Sequence, residues 1–147
     1  MKRAWLPLVL LIAATFGIQS PTFAQDDGAQ KAAEKAAEEI ISALGQQNYK
    51  LVWSQLTSEW LKKQETEATF LENMEEGRSP LGILQTSNLV SRQGPAKDPA
   101  TGYQGDFYAF TFRDKYLTAE LNDRILVIAE SDGEYRLAGF FVLPVPK

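Results

Sequence analysis

Three acids and one phenol have the residue types needed for proton transfer. Asp106, Tyr108 and Asp114 lie an even number of residues apart, so on a strand they would share one face, and Glu120 would join them from a second strand. A carboxylate base beside a phenol or a protonated acid suits the general acid–base chemistry of an isomerase or dehydratase. Asp106 and Asp114, however, flank the apolar segment between them. That position predicts solvated strand ends, because charged side chains are rarely buried unless paired.

Two arginines could recognise an anion. A guanidinium at Arg78 or Arg136 can fork onto a ligand carboxylate. The plainer reading is an ion pair with one of the 19 acids. Arg136 sits between Tyr135 and Leu137, so if those two face the core it points outward. A third group is aromatic: Tyr49, Trp53, Trp60, Phe70, Tyr108, Phe110 and Phe112 could line an apolar ligand pocket. Aromatic stripes at helical and strand spacing more often form plain core, and packing is the favoured reading here.

Other chemistry is excluded by composition. With no Cys and no His, the chain has no disulfide framework, no Cys/His zinc site and no Cys–His or Ser-His-Asp nucleophile. The acidic pairs Glu38-Glu39 and Glu75-Glu76 lack calcium-loop spacing, and adjacent helical residues point in different directions. No metal and no cofactor is expected. There is no Gly-rich phosphate loop and no Gly-x-Ser-x-Gly elbow.

The first 24 residues read as a cleavable export signal. Lys2 and Arg3 precede an uncharged run from Ala4 to Gly17, shorter than the ~20 residues a spanning helix needs. Thr22-Phe23-Ala24 places small residues for cleavage between Ala24 and Gln25. The mature chain, residues 25–147, is then expected as a single exported domain in the periplasm, free of the membrane. Removing Lys2 and Arg3 leaves 15 − 2 = 13 basic residues against 19 acidic ones, a net charge of −6. Its basic residues are scattered, so no nucleic-acid partner is expected.

The elements that must position these groups fall in two blocks. Ala33, Ala36, Ala37, Ile40, Ile41 and Leu44 predict a helix over 29–44, with Gly45 as its terminating glycine. Asn48 would cap a second helix carrying Tyr49, Val52, Trp53 and Leu56, and Thr66 a third carrying Phe70, Leu71 and Met74. Beyond Pro80 the apolar period changes to two. Strands are predicted over 84–92, 106–113, 118–129 and 135–143, with a loop over 93–105 and a hairpin turn at Ser131-Asp132-Gly133. The fold class is therefore α+β, with N-terminal helices packed against an antiparallel sheet of about four strands.

The order of landmarks resembles the small exported bacterial proteins of the domain of unknown function 4019 family. The residues that carry it are the Ala-rich helix, Tyr49 with Val52-Trp53, and Phe70-Leu71 ahead of Arg78-Ser79-Pro80-Leu81-Gly82. Asp132-Gly133-Glu134-Tyr135-Arg136-Leu137-Ala138-Gly139-Phe140-Phe141 completes the set. The resemblance implies a cone-shaped fold similar to nuclear transport factor two and the cystatin-like superfamily, often with a cavity, and implies no activity. The reading that results is a non-enzymatic exported domain binding a small apolar or amphipathic molecule inside the cone. A protein-interaction or dimerisation module using the sheet face is the alternative, and an isomerase- or dehydratase-like enzyme a third. An open cavity beside Trp53 or Trp60 would favour the first; a filled interior with an exposed apolar patch would favour the second.

Overall fold

The computed structural model describes residues 27–97 and 99–146, and the expected signal segment lies outside them. Helix α1 runs over Asp27–Gly45 and buries one stripe: Ala33, Ala37, Ile40, Ile41 and Leu44 face inward while Lys35, Glu38 and Glu39 stay in water. The expected role of Gly45 changes. It belongs to the helix, and the left-handed residue after it is Gln47, with φ of 62°. Gly45 is small for a different reason, because a Cβ there would run into the Leu84 side chain.

The second helical segment is short. Helix α2, Tyr49–Leu51, passes directly into a π-helical turn over Val52–Leu56 that turns Val52 and Trp53 into the core. Asn48 occupies the cap position without a side-chain cap bond. Thr57 then bridges Leu137 in parallel, and the Thr57 hydroxyl donates to the Val52 carbonyl at 2.8 Å. Helix α3, Glu59–Lys62, starts at Ser58, whose hydroxyl accepts from the Leu61 N–H at 3.1 Å. Thr66 caps α4, Glu67–Gly77, as its sequence predicts, accepting from the Thr69 N–H. Phe70 and Met74 carry the buried side of α4.

Four antiparallel strands follow in the order β1-β2-β3-β4: β1 Leu84–Ala96, β2 Phe107–Tyr116, β3 Glu120–Ala129 and β4 Tyr135–Leu143. Bulges at three points in β1 and one between β3 and β4 bend the sheet around the helices. Strand β3 starts at Glu120 and β2 at Phe107, slightly inside their expected ranges, and two other boundaries differ more. Strand β1 runs on through Gly94 and Pro95, so the connecting loop is shorter than 93–105. Strand β2 extends three residues past Arg113 because Asp114, Lys115 and Tyr116 all pair across it, and this draws Asp114 off the strand end into the ladder. The inward face of β2 carries Tyr108, Phe110, Phe112, Asp114 and Tyr116. Strand β3 answers with Ile125 and Val127, and β4 with Leu137 and Phe140. Central β3 is buried on both faces near its end, where outward-facing Ile128 is 3% exposed.

Candidate functional site

The expected aromatic pocket residues are mostly packed against one another. Tyr49, Trp53, Phe70, Tyr108, Phe110 and Phe112 all belong to the core. Trp53 lies 5.2 Å from Phe70 between ring centroids, Phe70 lies 6.4 Å from Phe140, and Tyr108 meets Tyr135 edge-on at 5.6 Å. Trp60 stands apart from this set, half-buried on α3 against Tyr103 at 5.8 Å. The rings therefore fill the space between helices and sheet, with Trp60 under the loop that enters β2.

Arg136 is anchored at the β3–β4 turn. Its guanidinium forks onto Asp132, Nη2 to Oδ2 at 2.8 Å and Nη1 to Oδ1 at 3.0 Å, and its Nε donates to the Gln55 carbonyl. That fork holds the Asp132 carboxyl down at about 2. Arg78 lies elsewhere, at the end of α4, and is 4% exposed. It forks onto Asp123 of β3, Nη1 to Oδ1 and Nη2 to Oδ2, both at 2.9 Å. Nη2 also donates to the Tyr116 hydroxyl, which in turn donates to Asp123 Oδ2 at 2.6 Å.

The acids separate. Asp106 is exposed beside Lys97, as expected for a strand end, and Glu120 is exposed beside Arg113. Asp114 is not solvated: it is fully buried, next to Asp123 and Ser87. Neither of its oxygens meets a donor at hydrogen-bonding geometry. Burial, reinforced by the neighbouring Asp123 carboxylate, pushes its pKa up to about 8. Burial also raises the Tyr116 phenol. On Asp123, burial is outweighed by the Arg78 fork, with the Tyr116 hydroxyl bond adding to it, and the carboxyl is held below the usual range. On Arg78, burial works against the charge and the Asp123 bonds more than restore it.

Sequence reasoning misses Asp123 and Tyr116. The available signal is parity: Phe112, Asp114 and Tyr116 share a face of β2, and Asp123 shares the inward face of β3 with Ile125. The four-residue cluster is sealed, each member below 5% exposed, so a substrate does not reach it without the helix end moving. It is built to hold the α4 end on the sheet.

The accessible feature is apolar. At the end of β4, Phe141 is 52% and Val142 54% exposed, followed by exposed Leu143. With Phe107, Arg124 and Leu126 they line an open groove of about 620 Å³ along the sheet. Phe107, Leu126, Phe141 and Leu143 are outward-facing by strand alternation. Among the described residues no group of acids could hold a metal ion, and no helix is long and apolar enough to cross a membrane. One family model matches, described as "Protein of unknown function (DUF4019)", over residues 36–140. No curated protein and no solved structure matches the chain.

Proposed function

The chain belongs to the family described as Protein of unknown function (DUF4019), and within it we propose a non-enzymatic, exported interaction module that pairs with a second copy of itself through the β4 end of its sheet. One observation carries this reading: the interior is filled by its own aromatic rings while Phe141, Val142 and Leu143 stand in water around an open groove. Apolar side chains clustered at an exposed sheet surface are the usual mark of an interaction site. A ligand held inside the fold would need room that Trp53, Phe70 and Phe140 already occupy.

A second copy fits the groove better than an acidic or basic partner, because its lining is apolar apart from Thr101 and Arg124. Strand β4 is an edge strand, and the Thr57 bridge covers it at Leu137, well short of Phe141. Two copies related by a two-fold axis would place the same patch on itself, which is how isologous dimers form. The test is native mass spectrometry on the mature chain, residues 25–147, purified without denaturant. A dimer is expected, and a bare monomer across the accessible concentration range rejects the proposal. A retained small molecule, lost on unfolding, would instead support the ligand-binding reading.

A further inference from the structure

The cluster under the α4 end has an uneven charge. Two carboxylates, Asp114 and Asp123, face one cation, Arg78, in a region from which water is excluded. Both terminal nitrogens of Arg78 are committed to Asp123, and one of them also to Tyr116. The Tyr116 proton is committed to Asp123 as well. Asp114 is left with two buried oxygens that no donor meets at hydrogen-bonding geometry. An isolated carboxylate in such a place carries a large desolvation cost, and the group takes up a proton instead. A protonated Asp114 changes from acceptor to donor, and its neighbour Asp123 is the acceptor within reach.

We propose that Asp114 and Asp123 share a single proton in the folded protein at neutral pH, and that this proton fastens the α4 end to the sheet as an alkaline-sensitive latch. The groups that face Asp114 come from every element packed around it. The end of α4 supplies Arg78, β3 supplies Asp123, β2 supplies Tyr116 and β1 supplies the Ser87 hydroxyl, while the Tyr49 hydroxyl of α2, paired with Ser79, acts on Arg78. The remaining charges of β2, Arg113 and Lys115, alternate to the opposite face. Among the described residues no second cation approaches the inner face to neutralise an ionised Asp114. Loss of the proton leaves two buried negative charges against one guanidinium, weakening the fork that ties α4 to β3.

The experiment is infrared spectroscopy of the mature wild-type chain, comparing the carboxylic-acid carbonyl band at pH 6.5 and pH 9.5 while the protein stays folded. One buried protonated carboxyl per chain is expected at pH 6.5, lost with a midpoint near 8. Asp114→Asn removes the band at both pH values, whereas Glu65→Gln, altering the other acid that burial shifts upward, leaves it in place. The thermal midpoint of the wild type should fall across the same range and that of Asp114→Asn should not. No carboxylic-acid band in the folded wild type at pH 6.5, or a band that survives Asp114→Asn, overturns the proposal. The pH-difference spectrum uses the wild type alone and stands even if the variant fails to fold.

Discussion

Asp114 and Asp123 are diagonal neighbours across β2 and β3: Asp114 pairs with Leu121 and Asp123 with Phe112, so their carboxyls meet on the inward face one pair apart. Arg78 reaches this position only because α4 ends above it, 45 residues away in sequence. An acidic pair on a sheet and a cation at a helix end thus become one unit.

Stability should peak in mild acid. The folded Asp114 holds its proton up to about 8 against an ordinary 3.8, so between those values the folded state binds more protons than the unfolded one. Stability therefore falls as pH rises through that window, by up to ~1.4 kcal/mol per pH unit, and the loss levels off above 8. Asp123 acts in the other direction. Its lowered pKa stabilises above 3.8 and that contribution disappears as pH falls further. Urea unfolding should show stability declining from pH 4.5 through 6 to 7.5 and levelling off by pH 9, and Asp114→Asn should flatten the profile.

Breaking the Arg78–Asp123 fork should be costly. Asp123→Ala leaves the guanidinium buried without its carboxylate, and about 3–5 kcal/mol of stability should be lost. The double variant Arg78→Met with Asp123→Leu should recover part of that loss, since it removes the unpaired guanidinium. Equal losses in single and double variants would mean that the pair acts through packing alone.

Gly45→Ala tests a close approach. Helix propensity alone favours Ala by about 1 kcal/mol, yet the new Cβ would overlap Leu84. The expected net effect is a destabilisation of about 1–3 kcal/mol. In a Leu84→Ala background the same Gly45→Ala change should become stabilising, as read in a double-mutant cycle of unfolding midpoints.

Phe141→Asp tests the groove. The ring is half exposed and faces away from the core, so stability should change by no more than about 0.5 kcal/mol. Sedimentation should shift from dimer to monomer. A variant that sediments like the wild type would place the contact elsewhere.

Export makes a prediction of its own. Expressed in full in a bacterium with a periplasm, the chain should yield a product whose intact mass begins at Gln25. A product retaining Lys2 and Arg3 would refute cleavage at Ala24.

Much of the layout was legible because it rests on local periodicity. The Ala-lined stripe of α1, the Thr66 cap, the alternation of Tyr108, Phe110 and Phe112 and the Gly133 turn depend on near neighbours and on the simple need to bury one face. The misreadings have one cause. Gly45 looks like a helix terminator in sequence because its packing partner, Leu84, lies on a strand 39 residues on. Asp114 looks like a solvated strand end because its partners on β1 and β3 prolong the ladder past Arg113.

Fold class, the helix-then-sheet order and the choice of apolar strand faces are already set in the order of residues, since they follow from side-chain period and backbone preference. The roles of the polar residues are settled by long-range packing instead. Arg78 and Arg136 are alike as sequence, yet one is sealed beneath α4 and the other pairs with Asp132 at a turn. The same holds for the acids: Asp106 and Glu120 stay in water, while Asp114 enters a site with one cation for two carboxyls. Burial sets the cost of a charge, and burial depends on which distant elements come together.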